Sequence, residues 1–91
     1  MTTHGKASVK VPEGKLVKLK AEVGDRLKNV NITGDFFLQP PEALEELENA
    51  LEGMESDIDE EKVLERLEKV DAQTIGFDRK HIVEALRKVV E

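Results

Sequence analysis

Two periodicities divide the chain, and they change over once, near residue 39. Before that point apolar and polar residues alternate. Ala7, Val9 and Val11 are interleaved with Lys6, Ser8 and Lys10, and Val17, Leu19, Ala21 and Val23 with Lys18, Lys20 and Glu22. A side-chain period of two places one set on each face of a strand, so these segments are predicted to be half-buried antiparallel strands. Pro12-Glu13-Gly14 between them combines a preset φ with a residue free to take φ > 0, which suits a tight hairpin turn. Gly24-Asp25-Arg26 is a second turn, leading to a third strand with Val30 and Ile32 inward and Asn29, Asn31 and Thr33 outward. The economical assembly is a three-stranded meander over about residues 6–33, preceded by a disordered tail at 1–5.

Beyond residue 39 the apolar spacing becomes helical in three segments. Leu44, Leu47 and Leu51 follow Pro40-Pro41, whose rings suit a helix start, and Gly53 stands where a C-terminal cap belongs, giving a helix over about 41–52. A second helix, about 58–70, starts after Asp57 with Glu60 as a capping-box partner and buries Val63, Leu64, Leu67 and Val70. The third, about 79–90, opens at Asp78 and buries Ile82, Val83, Leu86, Val89 and Val90. Helices this short do not persist alone in water, so all three must pack on the sheet or on each other. Strands first and helices afterwards predict an α+β two-layer sandwich, with residues 6–91 forming a single domain.

Composition narrows the function classes. Ten Leu, ten Val and four Ile among 91 residues suffice for a core, while the absence of cysteine removes disulfides, thiolate metal sites and thiol catalysis. That usage, the lack of any 18-residue apolar stretch and the lack of a signal-like N-terminus predict a cytoplasmic protein that does not enter a membrane. The net charge of −6 is unevenly spread: residues 1–39 carry seven Lys/Arg against four Asp/Glu, and residues 40–91 seven against sixteen. An acidic chain whose basic part has no interleaved aromatic residue is a poor ligand for nucleic acid.

Catalytic constellations are missing from the pattern. His4 and His81 stand apart, with no further histidine at metal-ligand spacing, so zinc sites and nucleophilic triads have no support. Glu45, Glu46, Glu48 and Glu52 lie opposite the leucines and read as a solvated face. Asp57-Ile58-Asp59-Glu60 lacks the glycine of a calcium loop, and Gly14 and Gly34 lack the context of a phosphate-cradling loop. What remains is the join, Asn31 to Pro40, which holds Phe36 and Phe37. Adjacent side chains on an extended backbone face opposite ways, so one phenylalanine is expected in the core and the other as a contact.

The series Val11-Pro12-Glu13-Gly14-Lys15-Leu16-Val17, Val30-Asn31-Ile32-Thr33-Gly34-Asp35-Phe36-Phe37 and Pro41-Glu42-Ala43-Leu44-Glu45-Glu46-Leu47-Glu48 resembles the C-terminal accessory domain of lipoate–protein ligases, over roughly residues 6–90. Standing alone, the chain is similar to the small subunit of the two-subunit ligases of archaea. The resemblance implies a non-catalytic subunit required, with a catalytic large subunit, for ATP-dependent activation of lipoate to lipoyl-AMP. The lipoyl group then passes to a lysine of a lipoyl domain or a glycine-cleavage H protein. It places ATP, magnesium and lipoate on the large subunit and none of them on this chain. Lys15, Gly34, Asp35, Phe36 and Phe37 carry the match and are the candidates for the docking face of such a heterodimer. The rival class is a non-enzymatic adaptor that binds an unrelated partner through the two edges of the meander.

Overall fold

The computed structural model describes residues 3–11 and 15–90. β1 (Thr3–Val11), β2 (Lys15–Val23) and β3 (Leu27–Gly34) form an antiparallel sheet in chain order. The alternation behaves as the pattern predicts, with Val9, Val11, Val17, Leu19, Ala21, Val30 and Ile32 all buried on one face. Leu27, which the alternation did not single out, is also fully buried. The reason is a register shift between Lys20 and Glu22, opposite Asn29, whose φ of +51° is the left-handed conformation that asparagine tolerates best among non-glycine residues. The extra residue lets Leu27 and Val30 face the same side although they are three positions apart.

Residues 3–5 depart from the expected disordered tail. Thr3, His4 and Gly5 pair with Val23, Glu22 and Ala21, so they belong to the sheet and not to a disordered segment. Gly5 is required there, because a Cβ would stand 2.7 Å from the carbonyl oxygen of Val89, where the last helix crosses the strand. The turn expected at Pro12-Glu13-Gly14 lies outside the described residues.

Three helices cover the buried face: α1 (Ala43–Leu51), α2 (Glu60–Glu68) and α3 (Arg79–Val90). α3 lies on β1 and β2, α1 lies against β3, and α2 packs on both helices. Their buried residues, among them Leu47, Leu51, Val63, Leu67, Ile82 and Leu86, join the strand residues in one core. The stripes differ in detail, since Ala43 and Ala85 are buried while Leu44, Leu64 and Val70 are only half-buried. The cap of α2 is also displaced. Asp59, not Asp57, occupies the N-cap and accepts from the Glu61 N–H at 3.1 Å. At α3 Asp78 accepts from the Lys80 N–H at 3.2 Å, while its own N–H donates to His81 Nδ1 at 2.9 Å. His81 thus closes a capping box from the third helical position, which gives it a structural task.

Glu48 of α1 and Glu52, its C-cap, do more than face solvent. Glu48 Oε2 accepts from the Ile32 N–H at 2.8 Å, and Glu52 accepts from the N–H groups of Asn29 and Val30 at 2.5 and 3.1 Å. An edge strand presents unpaired backbone donors, and here the helix side chains satisfy three of them. The expectation of a wholly solvated acidic face therefore fails at Glu48 and Glu52, whose spacing of four residues matches one turn of α1 against β3. A small second sheet, β4 (Phe37–Gln39) paired antiparallel with β5 (Gln73–Ile75), was not anticipated.

Candidate functional site

The join between the layers is built from the end of β3 outward. Gly34 pairs with Val17 and has a φ of +149°; a Cβ at this position would fall 2.0 Å from the Leu16 carbonyl oxygen. Only glycine allows that approach, and the Asp35 N–H then donates to the same oxygen at 2.9 Å. Gly34 acts through backbone geometry, and Asp35 is exposed. Lys15 forms the first backbone pair of β2, with Val11.

The two phenylalanines divide. Phe36 is half-buried and packs on the ring of Phe77, with centroids 4.3 Å apart and planes tilted by 39°. Such tilted contacts are favourable for quadrupolar rings. Phe37 points the other way and is 69% exposed. Its antiparallel partner across β4 and β5 is Ile75, which is 40% exposed, so the two large apolar residues exposed among the described residues form one cross-strand pair. Leu38, the next residue, is buried again.

The chain leading into β5 is held by Arg79, which the pattern did not mark. Its guanidinium donates to the carbonyl oxygens of Leu67, Val70 and Ala72 at 2.9, 2.8 and 2.9 Å. These bonds satisfy the C-terminal end of α2 and gather the segment that leads into β5. The structure therefore brings Phe36 to Phe77 and Phe37 to Ile75, and neither Phe77, Ile75 nor Arg79 stood among the candidates. A lone isoleucine before Gly76, which adopts a φ of +86°, was the available signal for a short strand and turn.

Chemically, the arrangement offers an apolar contact surface held on two short strands. Among the described residues no group of three or more His, Asp or Glu side chains comes together in a way that could hold a metal ion. No helix among them is long and apolar enough to cross a membrane. The fold and the site thus define an α+β domain that carries an exposed apolar pair on two short strands.

A family model described as the bacterial lipoate protein ligase C-terminus matches residues 7–87, and the chain belongs to that family. A solved chain from the archaeal lipoylation system of Thermoplasma acidophilum, described as a bipartite lipoate protein ligase and its E2 lipoyl domain, has a TM-score of 0.80 at 25% identity. The likeness covers 96% of this chain and 98% of that one. No curated protein matches the sequence.

Proposed function

We propose that this chain is the accessory subunit of a two-subunit lipoate–protein ligase, working in the cytoplasm beside a catalytic subunit that binds ATP, magnesium and lipoate. The reaction it supports has two steps. The lipoate carboxylate attacks the α-phosphate of ATP and pyrophosphate leaves. The ε-amine of an acceptor lysine then attacks the lipoyl carbonyl, loses a proton and releases AMP.

The observation that carries the reading is the family match across nearly the whole chain, on a domain whose large exposed apolar residues among those described, Phe37 and Ile75, form a single pair. An exposed apolar pair flanked by polar surface is the chemistry of an interface anchor. Docking there would order the substrate loops of the catalytic subunit, exclude water and align carboxylate with α-phosphate, a contribution of positioning rather than of reactive groups. The bipartite organisation of the Thermoplasma acidophilum ligase supports a separate catalytic partner and a lipoyl domain as acceptor. Strand addition, the adaptor alternative, is disfavoured at β3, where the N–H groups of Asn29, Val30 and Ile32 already donate to Glu52 and Glu48.

Lipoate-dependent exchange of pyrophosphate into ATP by the catalytic subunit, measured with and without this chain, is the direct test. Adenylation should require the chain, while transfer from preformed lipoyl-AMP at saturating acceptor should depend on it much less. Full-rate adenylation by the catalytic subunit alone refutes the accessory role.

A further inference from the structure

The sheet face turned away from the helices carries a charge pattern that the accessory role leaves unused. Lys6, Ser8 and Lys10 of β1, Lys18 and Lys20 of β2, and Asn31 and Thr33 of β3 are all exposed. Strand pairing sets Ser8, Lys18 and Thr33 in one row and Lys6, Lys20 and Asn31 in the next. Lys6 and Lys20 are therefore direct cross-strand neighbours, and like charges so placed destabilise a sheet. The ion pairs among the described residues are His4 with Glu22 and Arg87 with Glu60, so the lysines of this face have no acid of their own there. Glu22, the acid at the margin of the face, is bonded to the side chain of Asn29. A shallow depression of about 580 Å³ lies over Lys6, Ser8, Lys18, Lys20, Asn31 and Thr33. In a chain of net charge −6, positive charge is concentrated here against the sign of the whole.

We infer that this face receives a carboxylate-rich surface of the acceptor protein, the one that bears the lysine to be modified. The inference rests on the accessory reading and names a second partner for it. Lysines are point charges without the fork that grips phosphate bidentately, and no aromatic side chain lies among them to stack a base, so a protein surface fits better than a nucleic acid. Exposed lysines give fast, salt-sensitive association and little lasting affinity. That suits a partner that arrives unmodified and leaves modified in each cycle. The Phe37 and Ile75 pair, by contrast, suits the lasting contact with the catalytic subunit.

The experiment uses the complex of this chain with its catalytic subunit and the cognate apo lipoyl domain. The triple variant Lys6→Glu, Lys18→Glu, Lys20→Glu is compared with the milder Lys6→Gln, Lys18→Gln, Lys20→Gln, each checked for folding by circular dichroism. The glutamine variant removes the Lys6 and Lys20 repulsion and the glutamate variant exchanges it for a like-charge pair of the other sign, so neither should cost more than the parent pair and the fold should stay intact. At about 0.05 M salt, charge reversal should lower kcat/KM for the acceptor roughly ten-fold or more, with a smaller loss for the glutamine variant. The difference should shrink towards none at about 0.5 M salt, where the Debye length is only a few Å. Adenylation and assembly with the catalytic subunit should not change. An unaltered acceptor kcat/KM in a complex that assembles and adenylates normally overturns the inference and leaves the accessory reading standing. Loss of assembly assigns the face to the catalytic subunit, and tight oligonucleotide binding abolished by charge reversal assigns it to nucleic acid; either overturns the inference. The accessory reading itself fails on a different result, full-rate adenylation without this chain.

Discussion

Alanine at each of two adjacent phenylalanines removes the same atoms from opposite environments. Phe36 is half-buried against Phe77, and an aromatic side chain carries about 150–250 Å² of surface. Returning roughly half of that to water at about 25 cal/mol per Å² costs around 2–3 kcal/mol, and loss of the ring pair adds about 0.5–1.5 kcal/mol. For a domain of this size each kcal/mol lowers the melting temperature by about 4–8 °C, so Phe36→Ala should melt about 10–35 °C early. Phe37, 69% exposed, should change stability by no more than about 0.5 kcal/mol when cut to alanine. As an interface anchor, however, it should weaken association with the catalytic subunit by about 1–3 kcal/mol, which is about 5-fold to 150-fold in Kd. Circular dichroism melts of the isolated chain and calorimetric titration into the catalytic subunit separate the two quantities. Phe37→Ala that binds normally removes the docking role from the β4 and β5 pair. Phe36→Ala that melts with the parent refutes the packing argument.

Other substitutions probe the surrounding frame. Glu52→Ala frees two β3 donors and should cost about 1–3 kcal/mol in urea titrations, with dimers or aggregates appearing on size-exclusion chromatography as the edge opens; Glu52→Gln should recover part of the loss. Gly34→Ala should destabilise by roughly 2–4 kcal/mol, because its Cβ forces the Leu16 carbonyl away, and an unchanged melting temperature would show that this contact relaxes freely. Arg79→Lys loses the fork that reaches three carbonyl oxygens and should lower both the melting temperature and hydrogen-exchange protection of residues 73–75, and full protection in the variant would detach β5 from Arg79.

Much of the architecture is written in local pattern, since the periods of strand and helix follow from backbone geometry and each element reports its own buried face. Val17, Leu19 and Ile32 on the strands, and Leu47, Leu67 and Leu86 on the helices, lie in the core that the alternation and the helical stripes mark out. Even the opposition of Phe36 and Phe37 follows from the two-residue repeat of an extended chain, though the repeat does not say which one faces out. That choice is made by Phe77, which arrives from beyond two helices to meet Phe36. The three-residue strands β4 and β5 are too short to show a period, and their pairing joins segments distant in the chain, so local spacing holds no trace of it. Glu48 and Glu52 read like any other acids on the outer side of a helix until α1 is laid along β3 and their carboxylates meet its free N–H groups. Burial is announced by hydrophobic pattern because it concerns one residue and its own element, whereas a hydrogen bond or a ring contact concerns two elements, whose relative placement is decided only when the layers pack.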